Sequence, residues 1–411
     1  MTRRLRIAVY YNVGWGGGRR WLYEVVARLS HRHDLDLYCI DQLSIGVQYP
    51  DVTEFALKAQ IEEFHDLPRL PGKFLKPLNL PAVVADLYRF DRASKRLAER
   101  IDRQKYDLLF ASIGGYTEAP LPLRHAQTPS VYYCLEPMRI LYEPEVDRPY
   151  SHQPIISDMR RRWHRFFYGG TMRRWDREGT RRASVVIADS KYTADYARRA
   201  YGVHPWVNYP GVDVDAFRPG DEPRGRFVLM VGQMIPWKGY DWGVRTIAAI
   251  PAERRPKLVI VCNQTYAPER RYLEQLAREG GVTMEILEQI ADTEVKRLFR
   301  VASVVLYTPN LEPFGLVAIE AMASGTPVVA VREAGPIETV VDGVTGYLRE
   351  RDAWQLGDAV LRLLDDHALR EQMGRNARAH VLANFTWDRS VNELQGQLLQ
   401  AADGRRTGKD D

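Results

Sequence analysis

Two glutamates with seven residues between them, Glu312 and Glu320, bracket a turn and a helix start within residues 310–348, NLEPFGLVAIEAMASGTPVVAVREAGPIETVVDGVTGYL. A carboxylate accepts two hydrogen bonds at once, which suits vicinal hydroxyls. Between the two lie the amides of Phe314, Gly315, Leu316 and Val317. At a helix start such amides are unpaired within the helix, and together with the helix dipole they stabilise an anion. Glu320 sits one turn beyond Leu316, and helical side chains lean back toward the N-terminus. Both carboxylates can therefore flank whatever the amides hold. An anion with polyol on either side describes a sugar joined to a nucleoside through a diphosphate.

The elements that must position these groups are legible in the same stretch. Residues 312–315 read as a turn. Leu316, Val317, Ile319, Met322 and Ala323 recur at helical spacing. Gly325 stops the helix, because glycine takes the left-handed conformation without penalty. Residues 326–331 form a short apolar run rich in β-branched side chains, as expected of a buried parallel strand. The bland reading of the same residues is a capped helix with one surface glutamate.

The segment EPFGLVAIEAMASGTPVVA resembles, along nearly its whole length, the paired-glutamate motif of retaining glycosyltransferases of the GT-B fold, family 4 of that classification. The resemblance implies an α/β fold with two Rossmann-like domains facing across a cleft and a C-terminal helix crossing back to the first. It implies transfer of a sugar from a nucleotide-sugar to an acceptor hydroxyl, with retention at the anomeric carbon. Glu312 would bind hydroxyls of the transferred sugar, helped by the amides of Phe314, Gly315 and Leu316. Glu320 would bind the ribose diol.

Residues 232–247, GQMIPWKGYDWGVRTI, follow the strand expected over 227–231. The family usually has Gly-Arg and then Lys-Gly here, two cations gripping the donor phosphates. This chain keeps Lys238 and Gly239 but has Gln233 in the arginine position. Glutamine donates hydrogen bonds but neutralises no charge. Lys238 is thus expected to carry the electrostatic load, with Arg139 and Arg332 as candidate helpers. In the family, backbone following the strand expected over 284–287 borders the nucleotide base, a role carried over to Ile290 alone.

At the other end, 5–11 reads as a buried strand, 12–18 (NVGWGGG) as a glycine-rich turn and 21–29 as the helix after it. Such a βα start lets the backbone approach a phosphate. Gly14, Gly16 and Gly18 alone fit a tight turn equally well. The family's GG turn faces the donor diphosphate, which puts Gly17 and Gly18 at the donor. Residues 132–144, YYCLEPMRILYEP, resemble a segment of bacterial mannosyltransferase-like members, but Leu135 stands where a histidine would be.

Further strands are expected at 34–40, 106–112, 130–134, 185–190 and 257–262. Helices are expected at 82–104, 353–378 and 390–399, and on one face of a helix around Met172, Trp175, Gly179 and Ala183. Residues 66–81 carry four prolines and read as a loop. The expected domains are 1–208 on the acceptor side, a linker at 209–224, a nucleotide-sugar-binding domain at 225–385, a closing helix at 386–402 and a disordered tail at 403–411.

Composition bounds the partners. The chain has 411 residues, 45% of them hydrophobic, and a formal charge of +5. Cys39, Cys134 and Cys262 are scattered, with no CxxC or Cys/His cluster, so neither a disulfide framework nor a zinc site is expected. No apolar run reaches membrane-spanning length and the first strand follows no signal-like segment, so a cytoplasmic protein is expected. No nucleic-acid partner, cofactor or metal is expected. The Asp-x-Asp triplets at Asp34 and Asp213 read as chance. Residues 155–182 hold nine arginines against three acids, with an apolar stripe at Ile156, Met159, Trp163, Phe166 and Phe167. A basic helix of this kind either lies in an anionic membrane interface or caps a core.

The function expected from all this is metal-independent sugar transfer to a glycan or lipid-linked glycan, with GDP-mannose the favoured donor. The alternatives are a catalytically inert nucleotide-sugar-binding partner subunit and a phosphorylase or epimerase of the same fold.

Overall fold

Short runs of branched apolar residues, such as VVIA at 185–188 and KLVIVC at 257–262, cannot satisfy a solvated face. They become interior strands of parallel sheets, buried on both sides. The structure, a computed structural model, describes residues 3–12, 17–41, 51–69, 79–151 and 155–408, with backbone alone for 41, 80, 151 and 155–168. The turn glycines Gly14 and Gly16, most of the proline-rich loop and the side chains of the apolar stripe from Ile156 to Phe167 lie outside the described residues.

The chain forms two compact units, one of residues 1–145, 153–209 and 390–411, the other of 146–152 and 210–389. The first unit runs β1 (Arg6–Tyr10), α1 (Gly17–Ser30), β2 (Asp34–Asp41), β3 (Lys58–Glu63), α2 (Leu80–Arg103), β4 (Leu108–Ala111) and β5 (Ser130–Cys134). It continues through α3 (Arg139–Tyr142), α4 (Ile155–Arg182), β6 (Val185–Ala188), α5 (Lys191–Tyr201) and β7 (Trp206–Val207). Its sheet is parallel with the order β3-β2-β1-β4-β5-β6-β7. Helix α2 buries Leu87, Phe90, Leu97 and Ile101, a 3.6-residue stripe, against Tyr10, Tyr38 and Tyr132 of the sheet. Met172, Trp175 and Gly179 of α4, and Ala183 just past its end, are buried as their spacing predicts.

The second unit runs β8 (Gly225–Val231), α6 (Tyr240–Ala249), β9 (Lys257–Cys262), α7 (Ala267–Gly280), β10 (Met284–Glu288), α8 (Asp292–Val301) and β11 (Ala302–Tyr307). Next come α9 (Leu316–Ala323), β12 (Val328–Val331), α10 (Pro336–Thr339), β13 (Gly346–Arg349), α11 (Ala353–Asp365) and α12 (His367–Asn384). Its sheet is also parallel, ordered β10-β9-β8-β11-β12-β13. In both sheets the first strand of the unit sits inside, flanked by its second and fourth. The order therefore reverses between β1 and β4, and between β8 and β11. Ligands of such folds bind at that reversal, beyond the C-terminal ends of the strands. These are the two Rossmann-like α/β domains expected.

Several expectations need correcting. Helix α1 begins at Gly17, so the glycine pair is the helix's first turn rather than part of the preceding loop. The helix expected over 353–378 is two, broken at Asp366, whose carboxylate accepts from Leu369 N at 2.9 Å and caps α12. Residues 146–152 belong to the second unit although 1–208 was expected to form the first. Helix α13 (Trp387–Ala402) belongs to the first unit from Ser390 onward, where Asn208 Nδ2 donates to Ser390 O at 3.0 Å. Of the tail expected to be disordered, the described residues 403–408 are anchored through Thr407, which is buried. Its N–H donates to Ser184 O at 3.2 Å and its hydroxyl accepts from Val186 N at 3.2 Å.

Candidate functional site

The second unit's strand-order reversal is built from two loops, one after β8 and one after β11. The first turns tightly through Pro236–Lys238 and leaves at Gly239, φ +64°. The second runs from Thr308 to Gly315. They are stitched together: Thr308 Oγ1 donates to Gly239 O at 2.9 Å, and Asn310 N to Trp237 O at 2.8 Å. A Cβ on Gly239 would stand 2.0 Å from Thr308 O, so glycine is required both for φ and for the approach of the second loop.

This stitching brings Lys238 to Glu312. The ammonium lies 3.0 Å from Oε1 and 2.9 Å from Oε2 of the carboxylate. Both side chains keep an open edge, 27% and 16% exposed. Glu312 is further fixed through its carbonyl, which accepts from Gly335 N at 2.8 Å. Beside the pair, Tyr240 is buried, and among the described residues its hydroxyl has no hydrogen-bond partner. Burial, with Cys262 and Glu312 nearby, pushes that phenol well up from its ordinary range.

Helix α9 starts three residues past Pro313, at Leu316, directly after Gly315 at φ +101°. Its end is the glycine stop expected at Gly325, φ +74°. Thr326 N donates to Ala321 O and Gly325 N to Met322 O, both at 3.0 Å, a Schellman arrangement. The helix is not a one-sided stripe. Ala318–Ala323 are all buried, whereas Leu316 and Val317, at the open first turn, are half-buried. Glu320 is buried, at 6% exposure.

The remaining candidates are scattered around this centre. Gln233 is half-buried in the β8 loop, as is Ile290 after β10. Strand β9 lies between β10 and β8, which sets Ile290 two strands from the loop of Lys238. Gly17 and Gly18 open α1 at the first sheet's reversal, in the other unit. The two candidate helper arginines have structural partners. Arg139 pairs with Glu136 at 2.6 Å, and Arg332 pairs with Asp342 at 2.5 Å and Leu348 O at 2.9 Å. Three of the four Asp-x-Asp carboxylates are likewise engaged. Asp34 takes Arg4 at 2.7 Å, Asp36 takes Tyr106, and Asp213 accepts from Asp215 N at 3.1 Å and Ala216 N at 3.0 Å.

Two arginines that sequence reasoning missed brace the site. Arg351 donates to Thr308 O at 3.0 Å and Pro309 O at 2.7 Å, and pairs with Glu333 at 2.6 Å. Arg148 donates to Pro236 O at 3.0 Å and pairs with Asp241 at 2.8 Å and Glu269 at 3.0 Å. Their partners lie tens of residues away along the chain, so no local spacing marks them.

Residues 15–216 match the family model described as Glycosyltransferase Family 4, and residues 213–380 that described as Glycosyl transferases group 1. The D-inositol 3-phosphate glycosyltransferase 2 of Catenulispora acidiphila is 35% identical over 229 residues, 50% of this chain and 53% of the relative. The D-inositol 3-phosphate glycosyltransferase of Acidothermus cellulolyticus is 36% identical over 232 residues, 50% and 51% of the two chains. The chain spans about half the length of the curated relatives it matches. Among solved structures, sucrose-phosphate synthase from Thermosynechococcus elongatus has a TM-score of 0.71 at 20% identity, covering 97% and 98% of the two chains. An Anabaena protein in complex with UDP and glucose has a TM-score of 0.68 at 19% identity, covering 97% and 100%. At these identities both show the fold, which is GT-B. A family 4 match over residues 15–216 and a group 1 match over residues 213–380 make the chain similar, half by half, to glycosyltransferases of this two-domain fold.

Proposed function

We propose that the chain moves a sugar from a nucleoside-diphosphate-sugar to an acceptor hydroxyl, with retention. The observation that carries this reading is the Lys238–Glu312 pair over the sheet reversal, beside the glycine-started helix α9. Without ligand the two charges satisfy each other. A donor offers a better partner to each: diphosphate oxygens to the ammonium, sugar hydroxyls to the carboxylate. Glu320, one helical turn on, takes the ribose diol. As the bond from the anomeric carbon to the phosphate oxygen breaks, negative charge grows on the diphosphate. Lys238 and the amides opening α9 stabilise that charge in place, without reorganising water. Gln233 adds hydrogen bonds but no charge. No side chain is assigned as a nucleophile, in keeping with reaction on one face of the sugar.

The donor favoured from the sequence is GDP-mannose. For the acceptor, the names of the relatives add inositol 3-phosphate to the glycan and lipid-linked glycan first considered. Thermal stabilisation against GDP-mannose, UDP-glucose and the free nucleotides tests the donor. A ligand that binds the native state raises its stability with the logarithm of concentration over affinity. Product formation with inositol 3-phosphate or a lipid-linked glycan tests the acceptor. Stabilisation with neither transfer nor donor hydrolysis would identify an inert binding subunit instead. No stabilisation by any donor would overturn the reading.

The membrane contact through 155–182 is part of the same proposal for a lipid-linked acceptor, on the cytoplasmic face. Arg174 and Arg177 of α4 are exposed, and among the described residues no helix is long and apolar enough to cross a membrane. Salt-sensitive co-sedimentation with anionic vesicles is expected. No pelleting at low salt would leave a soluble acceptor.

A further inference from the structure

Residues 146–152 leave the first unit between α3 and α4 and are built into the second. At their centre Arg148 is buried, at 4% exposure. Its guanidinium faces two carboxylates. Nη2 lies 2.8 Å from Asp241 Oδ1, and Nε lies 3.0 Å from Glu269 Oε2. Glu269 is fully buried and also accepts from the Tyr150 hydroxyl. Asp241 lies in the first turn of α6 and Glu269 in that of α7. The positive ends of two helices thus help hold two acids that share one arginine. The same Nη2 donates to Pro236 O at 3.0 Å. Pro236 opens the three-residue turn that ends at Lys238.

We infer that Arg148 is a positioning residue for the transfer reaction, clamping the Pro236–Lys238 turn to the starts of α6 and α7 so that Lys238 meets the donor diphosphate in one fixed place. The inference rests on the role proposed above for Lys238. A purely structural ion pair would need the two carboxylates alone. The bond to Pro236 O reaches instead into the turn that carries the expected catalytic cation, two residues before it. Arginine is suited to this because its planar fork spans several acceptors at once, whereas lysine presents one compact charge. Arg148→Lys therefore keeps the cation that the buried acids require while releasing the turn.

The test is a double-mutant cycle of Arg148→Lys with Lys238→Ala, read as kcat and KM for the donor, with melting curves of each variant. The expected result is a folded Arg148→Lys protein whose kcat falls on the order of ten- to a hundredfold, the scale set by displacing a catalytic group by about 1 Å. In the Lys238→Ala background the same substitution should cost less than about twofold, because there is no ammonium left to misplace. Wild-type kcat in Arg148→Lys, or losses that multiply in full, would overturn the inference. If Arg148→Lys does not fold, Asp241→Asn loosens the same guanidinium while removing a buried charge, and takes its place with the same two outcomes. A wild-type chain without turnover on any donor would be a failure of the proposed function, not of this clamp.

Discussion

Lys238 and Glu312 are each other's counter-ion across two loops that 74 positions of sequence separate, at 2.9 and 3.0 Å. Both are partly exposed, and such pairs contribute about 0–1 kcal/mol to stability. Glu312→Gln and Lys238→Ala should therefore melt within a few degrees of the parent. Their turnover should fall on the order of a hundredfold or more, the usual loss when one preorganised electrostatic partner is removed. Glu320→Gln should weaken donor affinity more than turnover, because the ribose does not change during the reaction. Steady-state kinetics beside calorimetry checks all three, and wild-type rates in either of the first two would sink their assignment.

Gly239→Ala attacks the stitching rather than the chemistry. The new methyl would meet Thr308 O at a position already at φ +64°. A loss of about 2–4 kcal/mol is expected, in the range for a strained backbone with a close contact. The measurement is denaturant unfolding followed by a probe in the second unit. An unchanged midpoint would mean that the two loops separate freely.

Arg351→Lys should act at a distance. The lysine cannot hold Thr308 O, Pro309 O and Glu333 together, so the loop leading to Glu312 loosens. A fall in turnover of about tenfold is expected for a small displacement of that loop. A rise in KM without any change in kcat would place Arg351 in donor binding instead.

Asp176 gives the first unit a pH signature. Burial pushes its carboxyl up to about 6, even though the Tyr201 hydroxyl and Ala119 N donate to it. Between about pH 4 and 6 the folded chain then keeps a proton that the unfolded chain has released, so this group's contribution to stability falls as pH rises through that window. Above it the penalty is constant, on the order of 3 kcal/mol. Asp176→Asn removes the titration. The variant should gain on the parent steadily from pH 4 to 6 in differential scanning calorimetry, and then run parallel. A difference independent of pH would show that the carboxyl titrates normally.

Turnover is expected to survive excess EDTA, since Lys238 and the α9 amides are the positive groups assigned to the leaving diphosphate. Loss in EDTA with recovery in manganese would overturn that assignment.

What could be read in advance follows the range over which each signal acts. β9 ends where its apolar run ends, because a buried strand needs apolar residues throughout and nothing beyond. The Gly325 stop was legible because it depends on one residue's backbone. β3, KAQIEE, was not: it lies at the sheet edge with mostly open side chains, so it shows no apolar run. The break at Asp366 was invisible because the helical pattern continues on both sides of one capping residue. The candidate site divides the same way. Glu312, Glu320 and the α9 start share one stretch of chain. Arg148 and Arg351 do their bracing through carbonyls and acids of distant segments, which no local pattern records.

The chain passes from one unit to the other four times, which decides how it can be cut. A fragment of residues 210–389 would look like an independent domain. It would lack Arg148, the arginine that Asp241 and Glu269 share. Removing one partner of a buried ion pair is strongly destabilising, so such a fragment should unfold at a lower denaturant concentration than the same residues in the full chain. A peptide of residues 144–152 supplied in trans would be its natural complement.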